Sequence, residues 1–557
     1  MYVLGINGWN YDIHDPSACL FLNGELIAAA EEERFIRQKK ALDKLPYNSI
    51  AYCLKEANIT PDQVDHIVMG WDVKKIHDQK YSKTLNEKAC IEMVFPTEIF
   101  PRENNPQLHM CSHHLAHAAG AFFSSGYEES AILVIDGSGE EESITIAKGK
   151  GNKIEILEQF PLNQSLGIFY EALTVFAGLG RHNEGKLMGL SSYGEAVYEF
   201  PDILEGQLSI QDKNISMNSQ YFSYLKNWIG VIQDTTNTRP NTLFYKYDVI
   251  NTTLSTQPSV MDYKDIAASG QVALEKAIVK LVNKALRLTD SKNICISGGV
   301  ALNCVANRVV ANLKSVKKIY IQPGASDSGV SIGAASWFIS ENNIKPIMED
   351  NHVYSGPQFS DSMIYELLTK YNIPFIELGS NKYEKCAELL GENKVLGRFS
   401  GRMEFGPRAL GNRSIIANPN SKKMLKKVNT IKKREQWRPL APSLIKENVP
   451  IVLEEENTSP FMLLNSTVKE NIRHLLPAIV HVDGSSRPQV VTKEMNNDYY
   501  ETIQSFYKKT DIPAIMNTSF NVGNEPIVCN PNDAIKSFYG SELDGLLLGS
   551  FLINKGE

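Results

Sequence analysis

Short apolar runs, each about the length of a β-strand, dominate the first 160 residues. They occur in two sets with one layout: a buried-strand run, a glycine turn and a hairpin-like pair of runs. In the first set the pair flanks Asn23-Gly24, a dipeptide typical of two-residue hairpins. The repeat predicts a duplicated α/β fold with a cleft between its halves. The runs are residues 2–6, 17–22 and 25–30 in the first set and 131–135, 143–147 and 153–157 in the second.

Apolar positions at helical spacing predict a long packed helix over residues 263–287. Two strand–glycine loop–helix units follow, one ending in Gly298-Gly299 and the other in Pro323-Gly324. Open α/β sheets bind ligands at the carboxyl ends of their strands, and helix N-termini favour anions. Together with the repeat, these loops are expected to close on a nucleotide from opposite sides. Each loop taken alone is also typical of a helix cap.

The pattern breaks at residues 346–360, which contain Pro346, Gly356 and Pro357 and have no periodicity. We place a linker there, between predicted domains at 1–345 and 361–557. Beyond the linker helical and strand-like patterns alternate before a loop-rich, arginine-rich stretch. The helical patterns are at 361–370 and 383–390, and the strand-like ones are at 375–378 and 394–399.

Composition narrows the class of protein. The 557 residues are 43% hydrophobic and 22% charged, with a net charge of −7, which is globular and disfavours a protein that coats nucleic acid or membranes. The eight cysteines form no Cys-x-x-Cys pair, so no zinc ribbon or disulfide framework is visible. The chain begins with a strand-like run, and no apolar stretch reaches the ~20 residues of a membrane helix. We expect a soluble, reduced, cytoplasmic protein.

Histidines are concentrated in one short segment. Four of the eleven lie from His109 to His117, followed by small residues, and the segment predicts a helix. On a helix His113 and His117 share a face at a spacing that holds one metal ion, and His114 with His117 is the competing pair. Imidazole suits zinc, iron or another divalent transition ion, and a distant carboxylate would complete the site. The alternative is a helix whose histidines are satisfied in the core or solvated.

Two further segments offer phosphate contacts. Gly180 to Lys186 matches the start of a P-loop, but Leu187 stands where that motif needs a magnesium-binding hydroxyl, and the preceding residues predict a helix. It is not a P-loop, although Lys186 remains a candidate phosphate contact. Asp136-Gly137-Ser138-Gly139 follows a buried strand, where glycines admit an anion and the aspartate suits magnesium. An ordinary hairpin turn is the competing interpretation of that segment.

Residues 398–438 hold twelve basic residues against two acidic ones. The lysines from Lys422 to Lys427 have the pattern of a solvated helix face. The arginines lie among glycines and prolines that restrict the backbone, which suits bidentate binding of phosphate or carboxylate. A nucleic-acid groove is the rival interpretation, but it requires interleaved aromatic residues, and the stretch contains three, Phe399, Phe405 and Trp437. The pattern favours a small phosphorylated ligand. Asn517 to Asn521 would complete an oxyanion cradle or form a simple turn.

Together these motifs resemble the O-carbamoyltransferases of antibiotic and nodulation-factor biosynthesis, the family of tobramycin carbamoyltransferase and the nodulation protein NodU. The resemblance runs along nearly the whole chain. In the first half it rests on Gly5-Ile-Asn-Gly8 with His14-Asp15, Glu31-Glu-Glu-Arg34-Phe35, His113-His114-Leu-Ala-His117, Glu184-Gly-Lys186-Leu-Met-Gly189 and Ser297-Gly-Gly-Val-Ala-Leu-Asn303. In the second half it rests on Glu404-Phe-Gly-Pro-Arg408-Ala-Leu-Gly411, Arg434-Glu-Gln-Trp-Arg438-Pro-Leu-Ala-Pro442, His481-Val-Asp-Gly-Ser-Ser-Arg487 and Asn517-Thr-Ser-Phe-Asn521.

The resemblance implies an N-terminal TsaD-like domain of the duplicated actin/hexokinase type and a C-terminal α+β YrdC-like domain. In such enzymes carbamoyl phosphate is cleaved to carbamate in the C-terminal domain, and ATP, with magnesium, converts the carbamate to carbamoyl-adenylate. The carbamoyl group then passes in the N-terminal domain to a hydroxyl of a small natural product or sugar. The identity of the acceptor and the oligomeric state carry no sequence signal, and we expect the acceptor contacts in surface loops such as residues 217–256.

The resemblance also implies roles for individual residues. His14 is expected to be the general base and Asp12 to contact the acceptor. The metal, Fe(II) or alternatively zinc or manganese, is expected on His113, His117 and Asp327. The residues expected at ATP are Lys39, Asp136, Gly137, Ser138, Lys186, Gly298, Gly299 and Asn303. Those expected at carbamoyl phosphate are Arg408, Lys432, Arg438, Arg487, Asn517 and Ser519, with Lys433 as the alternative to Lys432.

Two other functions are compatible with these domain types. One is a threonylcarbamoyl-type tRNA-modifying enzyme, which the acidic balance and the lack of a tRNA-sized basic surface oppose. The other is a non-catalytic ATP-binding regulatory protein, which the complete set of histidine, aspartate and arginine motifs opposes.

Overall fold

The computed structural model describes residues 1–9, 14–76, 86–200, 202–205, 208–211, 214–217 and 259–555. The predicted acceptor contact Asp12 and most of the 217–256 segment, where we expected acceptor-binding loops, lie outside these residues. No helix in the described ranges is both long enough and apolar enough to cross a membrane.

The first half of the N-terminal part is a five-stranded sheet in the order β3-β2-β1-β4-β5. β1 pairs antiparallel with β2, and β4 lies parallel to β1 on its other side. Asn23 and Gly24 join β2 to β3 with φ values of 51° and 94°, the left-handed pair that the hairpin predicts. The elements are β1 (Tyr2–Asn7), β2 (Ser17–Leu22), β3 (Glu25–Glu31), α1 (Glu32–Ile36), α2 (Tyr47–Glu56), β4 (His66–Met69), α3 (Glu87–Val94) and β5 (Gln107–Met110).

The second half repeats this topology in the order β8-β7-β6-β11-β12. β6 pairs antiparallel with β7 and parallel with β11, as β1 does with β2 and β4. The predicted duplication is therefore confirmed. The elements are α4 (His113–Ser124), β6 (Glu129–Ile135), β7 (Glu142–Lys150), β8 (Lys153–Pro161), α5 (Leu166–Phe176), α6 (Glu184–Ser191), β9 (Leu208–Gln211), β10 (Asn214–Met217), α7 (Lys264–Thr289), β11 (Asn293–Ser297), α8 (Cys304–Ala311), β12 (Lys318–Ile321) and α9 (Val330–Glu341).

Helices α4 and α9 form the junction of the two sheets. α9 packs on β1, β2 and β4, α4 packs on β6 and β11, and the two helices pack on each other. The histidine-bearing helix is shorter than predicted, because residues 107–110 pair with β4 as β5 and Ser112 is extended. His109 therefore lies on a strand, and the helix begins at His113.

The C-terminal part is a mixed eight-stranded sheet in the order β13-β22-β21-β14-β15-β20-β16-β19. Residues 346–360 contain no helix and no strand, and the domain boundary placed there stays a prediction. The elements are α10 (Asp361–Lys370), β13 (Ile376–Glu377), α11 (Lys382–Gly391), β14 (Leu396–Phe399), β15 (Arg413–Ala417), α12 (Lys422–Ile431), β16 (Ala441–Ile445), α13 (Val449–Val452), β17 (Ser466–Thr467), β18 (Ser485–Ser486), β19 (Gln489–Val491), α14 (Lys493–Thr510), β20 (Ile515–Ser519), α15 (Pro531–Tyr539), β21 (Gly545–Leu548) and β22 (Phe551–Asn554).

Polar contacts join the two parts close to the motifs on which the family resemblance rests. Arg34 donates to the carbonyl of Gly406 at 2.8 Å, and the Tyr193 hydroxyl donates to the carbonyl of Trp437 at 2.8 Å. All eight cysteines are free and buried, as the absence of a disulfide pattern predicts. The arginine-rich loops are thus seated against the N-terminal part rather than exposed on a remote surface.

Candidate active site

One helix and two loops bring four potential metal ligands together at the junction of the sheets. His113 and His117 lie one turn apart on α4, Asp136 directly follows β6, and Asp327 begins the 3-10 turn before α9. One nitrogen or oxygen atom of each residue lies within 4.8 Å of those of the others, and all four residues are buried. Asp136 is the member of this group that the sequence had assigned to the nucleotide.

Hydrogen bonds to the far side of each imidazole direct Nε2 into the group. The Ser297 hydroxyl donates to Gln322 Oε1 at 3.2 Å, so its oxygen is left to accept from Nδ1–H of His117 at 3.1 Å. Nδ1 of His113 lies 3.4 Å from the carbonyl of Gly70, which accepts only. Fixing Nδ1–H in this way leaves the Nε2 lone pair for a metal ion.

The inward-facing atoms require a cation between them. Nε2 of His113 lies 3.2 Å from Nε2 of His117 and 3.2 Å from Oδ2 of Asp136. Without a metal ion, a proton on His113 supplies the positive charge. Burial lowers the pKa of His113, but the charges of Asp327 and Asp136 outweigh burial and raise that pKa above its usual value. The donor set of two imidazoles and two carboxylates therefore fits a divalent transition ion.

His114 faces away from this group. Its Nδ1 lies 2.9 Å from the Thr145 hydroxyl, and burial lowers the pKa of its imidazole well below the usual value. The sequence left two histidine pairs open as metal ligands. In the structure His113 and His117 lie together in the group, and His114 does not.

Metal titration of the purified chain tests this arrangement. After chelation we expect one equivalent of Zn(II) or Fe(II) to bind by calorimetry, with affinity reduced more than ~10-fold in His117→Gln or Asp327→Asn. His114→Gln is the matched control and keeps the stoichiometry. Binding lost in His114→Gln and kept in His117→Gln would assign the site to the other pair.

The loops expected at a nucleotide meet beside this group. Gly298 has φ +90°, and a Cβ there would lie 2.2 Å from the carbonyl oxygen of Ile135, so the ends of β6 and β11 pass in close contact. The Gly299 N–H donates to Oδ1 of Asp136 at 2.8 Å. A Cβ built on Gly137 meets nothing within 4 Å, so this edge borders open space. Asn303 caps α8 by accepting from the Ala306 N–H at 3.0 Å.

His14 lies near the same group, with 32% of its side chain exposed. Its Nδ1 lies 3.2 Å from Oδ2 of Asp15, and the ring of His182 stands edge-on with centroids 5.2 Å apart. Burial lowers the pKa of His14, but the charges of Asp327 and Asp15 outweigh it and raise that pKa to about 9. An imidazole that responds to Asp327 is placed to exchange protons beside the metal-type group.

A second site, formed in the C-terminal part, is a cluster of unpaired cations. Nε of Arg408 and Nε of Arg487 are buried without a hydrogen-bond partner. Burial, followed by the charge of Arg487, lowers the pKa of Arg408 to about 9, and burial with the charge of Arg438 lowers the pKa of Arg434 to about 9. Within the described part of the chain, Arg408, Arg434 and Arg487 form no ion pair. Partly buried guanidinium groups that repel one another and have no acidic partner favour the binding of an anion between them.

Lys432 and Asn517 are two further residues that the resemblance places at carbamoyl phosphate. Lys432 is buried and binds the Ser519 hydroxyl at 2.9 Å, whereas Lys433 is exposed. Burial and the charges of Arg434 and Arg438 lower the pKa of the Lys432 amine well below its usual value. The Asn517 amide nitrogen donates to Ser443 and Gln489 at 3.0 Å each, while its buried Oδ1 has no partner. Oδ1 of Asn517 is therefore a buried acceptor that is free to bind a donor.

Glu404 builds the loop that presents Arg408, a role that sequence reasoning missed. One of its oxygens accepts from the N–H groups of Leu410 at 2.8 Å and Asn412 at 2.7 Å. Gly406, with φ +104°, lets this loop approach Pro323 of the N-terminal part, where a Cβ would lie 2.7 Å from the carbonyl oxygen. The one sequence feature that could have indicated this role is an acidic residue inside the arginine-bearing motif Glu404-Phe-Gly-Pro-Arg408.

Two residues that the resemblance placed at ATP lie toward the arginine pocket. Lys186 binds Glu435 at 2.9 Å, and Glu435 lies 3.6 Å from Arg438. Burial lowers the pKa of the Lys39 amine, and the charge of Arg438 adds to that effect. Both lysines therefore have charged neighbours in the C-terminal part.

Comparison with known proteins connects these sites to a family. Residues 3–336 match the model described as carbamoyltransferase N-terminus, and residues 387–555 match carbamoyltransferase C-terminus. The nodulation protein NolNO of Sinorhizobium fredii is 35% identical over 98% of this chain and 80% of its own length. An uncharacterized protein of Synechocystis is 34% identical over 100% of this chain and 97% of its own. The nodulation protein NolO of Bradyrhizobium diazoefficiens is 34% identical over 80% of this chain and 79% of its own.

Proposed function

This chain belongs to the carbamoyltransferase family and is a transferase, and we propose that it carries out ATP-dependent O-carbamoylation of a small hydroxylated metabolite. The observation that carries the proposal is the presence of two different sites in one chain. One is a partly buried cluster of arginines, in which Arg408 and Arg487 have no acidic partner among the described residues, and the other is a buried His/His/Asp/Asp group.

The arginine pocket suits the first half of the reaction. In it, water cleaves carbamoyl phosphate to carbamate and phosphate, and carbamate oxygen then attacks the α-phosphorus of ATP, releasing pyrophosphate. Arg408, Arg438 and Arg487 supply guanidinium groups for the phosphate dianion. The unpaired Oδ1 of Asn517 suits an N–H of the carbamoyl group. Lys432, held on Ser519, places its ammonium group beside them.

The N-terminal site suits the second half, in which an alcohol oxygen attacks the carbamoyl carbon of the adenylate and AMP leaves. Gly137, Gly298, Gly299 and Asn303 border the space proposed for the nucleotide, with Ser138 exposed beside them. His14 accepts the alcohol proton at Nε2, because Nδ1 faces Asp15. A divalent ion on His113, His117, Asp136 and Asp327 would supply Lewis acidity and offset the charge of Asp327 that raises the pKa of His14. Burial of these groups limits loss of the activated carbamoyl group to water.

Natural-product biosynthesis is the setting we propose, because the curated relatives that span most of this chain include nodulation proteins. The tRNA-modifying alternative shares the nucleotide chemistry but starts from threonine and bicarbonate. The chain's net charge of −7 supports a small acceptor instead.

Pyrophosphate release from ATP tests the proposal. We expect release only when carbamoyl phosphate is added with Mg²⁺, and we expect a mass gain of one carbamoyl group when candidate alcohols are screened with the same mixture. Threonine plus bicarbonate replaces carbamoyl phosphate in the matched reaction. Release that depends on threonine and bicarbonate, or that needs no carbamoyl donor, would overturn the assignment.

A further inference from the structure

The carboxylate of Asp15 joins two side chains that the reaction above does not otherwise connect. Its Oδ2 lies 3.2 Å from Nδ1 of His14 and accepts from the Lys40 ammonium at 2.8 Å. The side chain of Asp15 is 9% exposed and that of Lys40 is 27% exposed. A nearly buried carboxylate thus has an imidazole on one side and an ammonium group on the other.

The backbone is strained at both residues of the contact between Asp15 and Lys40. Asp15 has φ 56° and Lys40 has φ 66°, both in the left-handed region, which is unfavourable for lysine. The Asp15 N–H donates to the Lys40 carbonyl at 2.8 Å, and the Lys40 N–H donates to Glu33 at 2.6 Å. The Asn7 amide donates to the Asp15 carbonyl at 3.1 Å. These bonds over-determine the position of both side chains, as strain at a functional site requires.

We propose that Asp15 and Lys40 are positioning residues for His14. The ionised carboxylate only accepts hydrogen bonds, so Asp15 fixes the proton of neutral His14 on Nδ1 and leaves Nε2 as the basic atom. Lys40 keeps that carboxylate charged and in place. The inference deepens the proposed function, because it rests on His14 as the base. Lys40 is the direct neighbour of Lys39, which the family resemblance had singled out.

Other charged groups face His14 from every element around it. Asp327 lies toward it from the turn before α9, and His182, Glu184 and Arg181 lie toward this cluster from α6 and the loop before it. Asp15 and Asp327 raise the pKa of His14, whereas Lys40 lowers it. Neutralising Lys40 therefore raises the pKa of His14, and neutralising Asp15 lowers it.

NMR of the full chain with ¹⁵N-labelled histidine, loaded with Zn(II), tests the inference, with His14 assigned by its absence in His14→Asn. In the wild type we expect the Nδ1–H tautomer. Asp15→Asn is expected to lose that preference and to titrate at lower pH. Lys40→Asn is expected to titrate at higher pH, and Lys40→Arg to restore the wild-type midpoint. Asparagine tolerates the left-handed backbone at both positions.

The matched controls are Asp43→Asn and Lys44→Met, exposed residues of the same loop, of which Asp43 also has φ 56°. They are expected to leave the His14 spectrum unchanged. An unchanged tautomer in Asp15→Asn with an unchanged midpoint in Lys40→Asn would overturn the inference. Because the spectrum reports the imidazole itself, it separates this failure from a failure of the base role, which appears as normal carbamoyl transfer in His14→Asn.

Discussion

His14→Asn is expected to slow carbamoyl transfer about 10²- to 10⁴-fold and to leave carbamoyl-adenylate formation close to wild type. Asparagine cannot take a proton from an alcohol at neutral pH, so the nucleophile is no longer activated. In the proposed function adenylation takes place at the arginine pocket, to which His14 is not assigned. In a single-turnover experiment, pyrophosphate is therefore released at the normal rate while the adenylate accumulates and AMP release is slow.

The control for this variant is His474→Asn, an exposed histidine of the C-terminal part. It is expected to support both half-reactions at wild-type rates. Equal loss of adenylation and transfer in His14→Asn would contradict the base role, because a base acts on the acceptor alone. The pH profile gives a second check: the wild-type transfer rate falls on the acid side as His14 becomes protonated, and this limb disappears in the variant.

The fold was predictable where one periodic pattern decides the structure. The two sets of strand-like runs became sheets of identical order, because a buried strand, a glycine turn and a hairpin are local features. The error at His109 has the opposite cause. The small residues that follow His117 favour a helix, but residues 107–110 pair with β4 instead, and no pattern within the segment encodes the partner strand.

The metal-type group was predictable in part for the same reason. His113 and His117 are four residues apart on one helix, so their shared face follows from helix geometry. Asp136 and Asp327 join them through the packing of α4 against β6 and α9. Asp327 was found through family resemblance, and Asp136 was assigned to the nucleotide because its glycine-rich turn is the stronger local signal.

The arginine-rich stretch shows why a sequence motif does not tell which of its arginines bind a ligand. Arg398 forms an ion pair with Asp498, and Arg402 donates to the carbonyl of Ser355 at 2.8 Å. Arg413 is fully buried and its terminal nitrogens donate to backbone carbonyls, whereas Arg408 forms no hydrogen bond and no ion pair within the described residues. All four sit among glycines and prolines in the sequence. Their roles differ because folding gives partners to three of them and withholds one from the fourth.

Arg408→Ala is accordingly expected to abolish pyrophosphate release that depends on carbamoyl phosphate, with a loss of at least about 10²-fold. The same change is expected to raise the thermal unfolding midpoint of the free protein. A partly buried guanidinium without a partner, repelled by Arg487 and Arg438, is unfavourable until an anion binds, so its removal stabilises the folded state of the free protein. Inorganic phosphate is expected to raise the midpoint of the wild type and to have little effect on the variant.

Arg413→Ala is the comparison, because Arg413 follows shortly after Arg408, at the start of β15, and its guanidinium is buried. Its guanidinium donates to the carbonyls of Ser400 at 2.8 Å, Asn412 at 2.9 Å and Pro357 at 2.9 Å, and it stacks 3.6 Å over Phe399. Removing it leaves buried carbonyls without donors at about 1–3 kcal/mol each, so the midpoint falls by several degrees. If Arg408→Ala lowered the midpoint as far and kept normal turnover, Arg408 would be a structural residue. An anion pocket predicts that the thermal midpoint rises in Arg408→Ala and falls in Arg413→Ala. The cations of such a pocket destabilise the folded protein as long as no anion is bound.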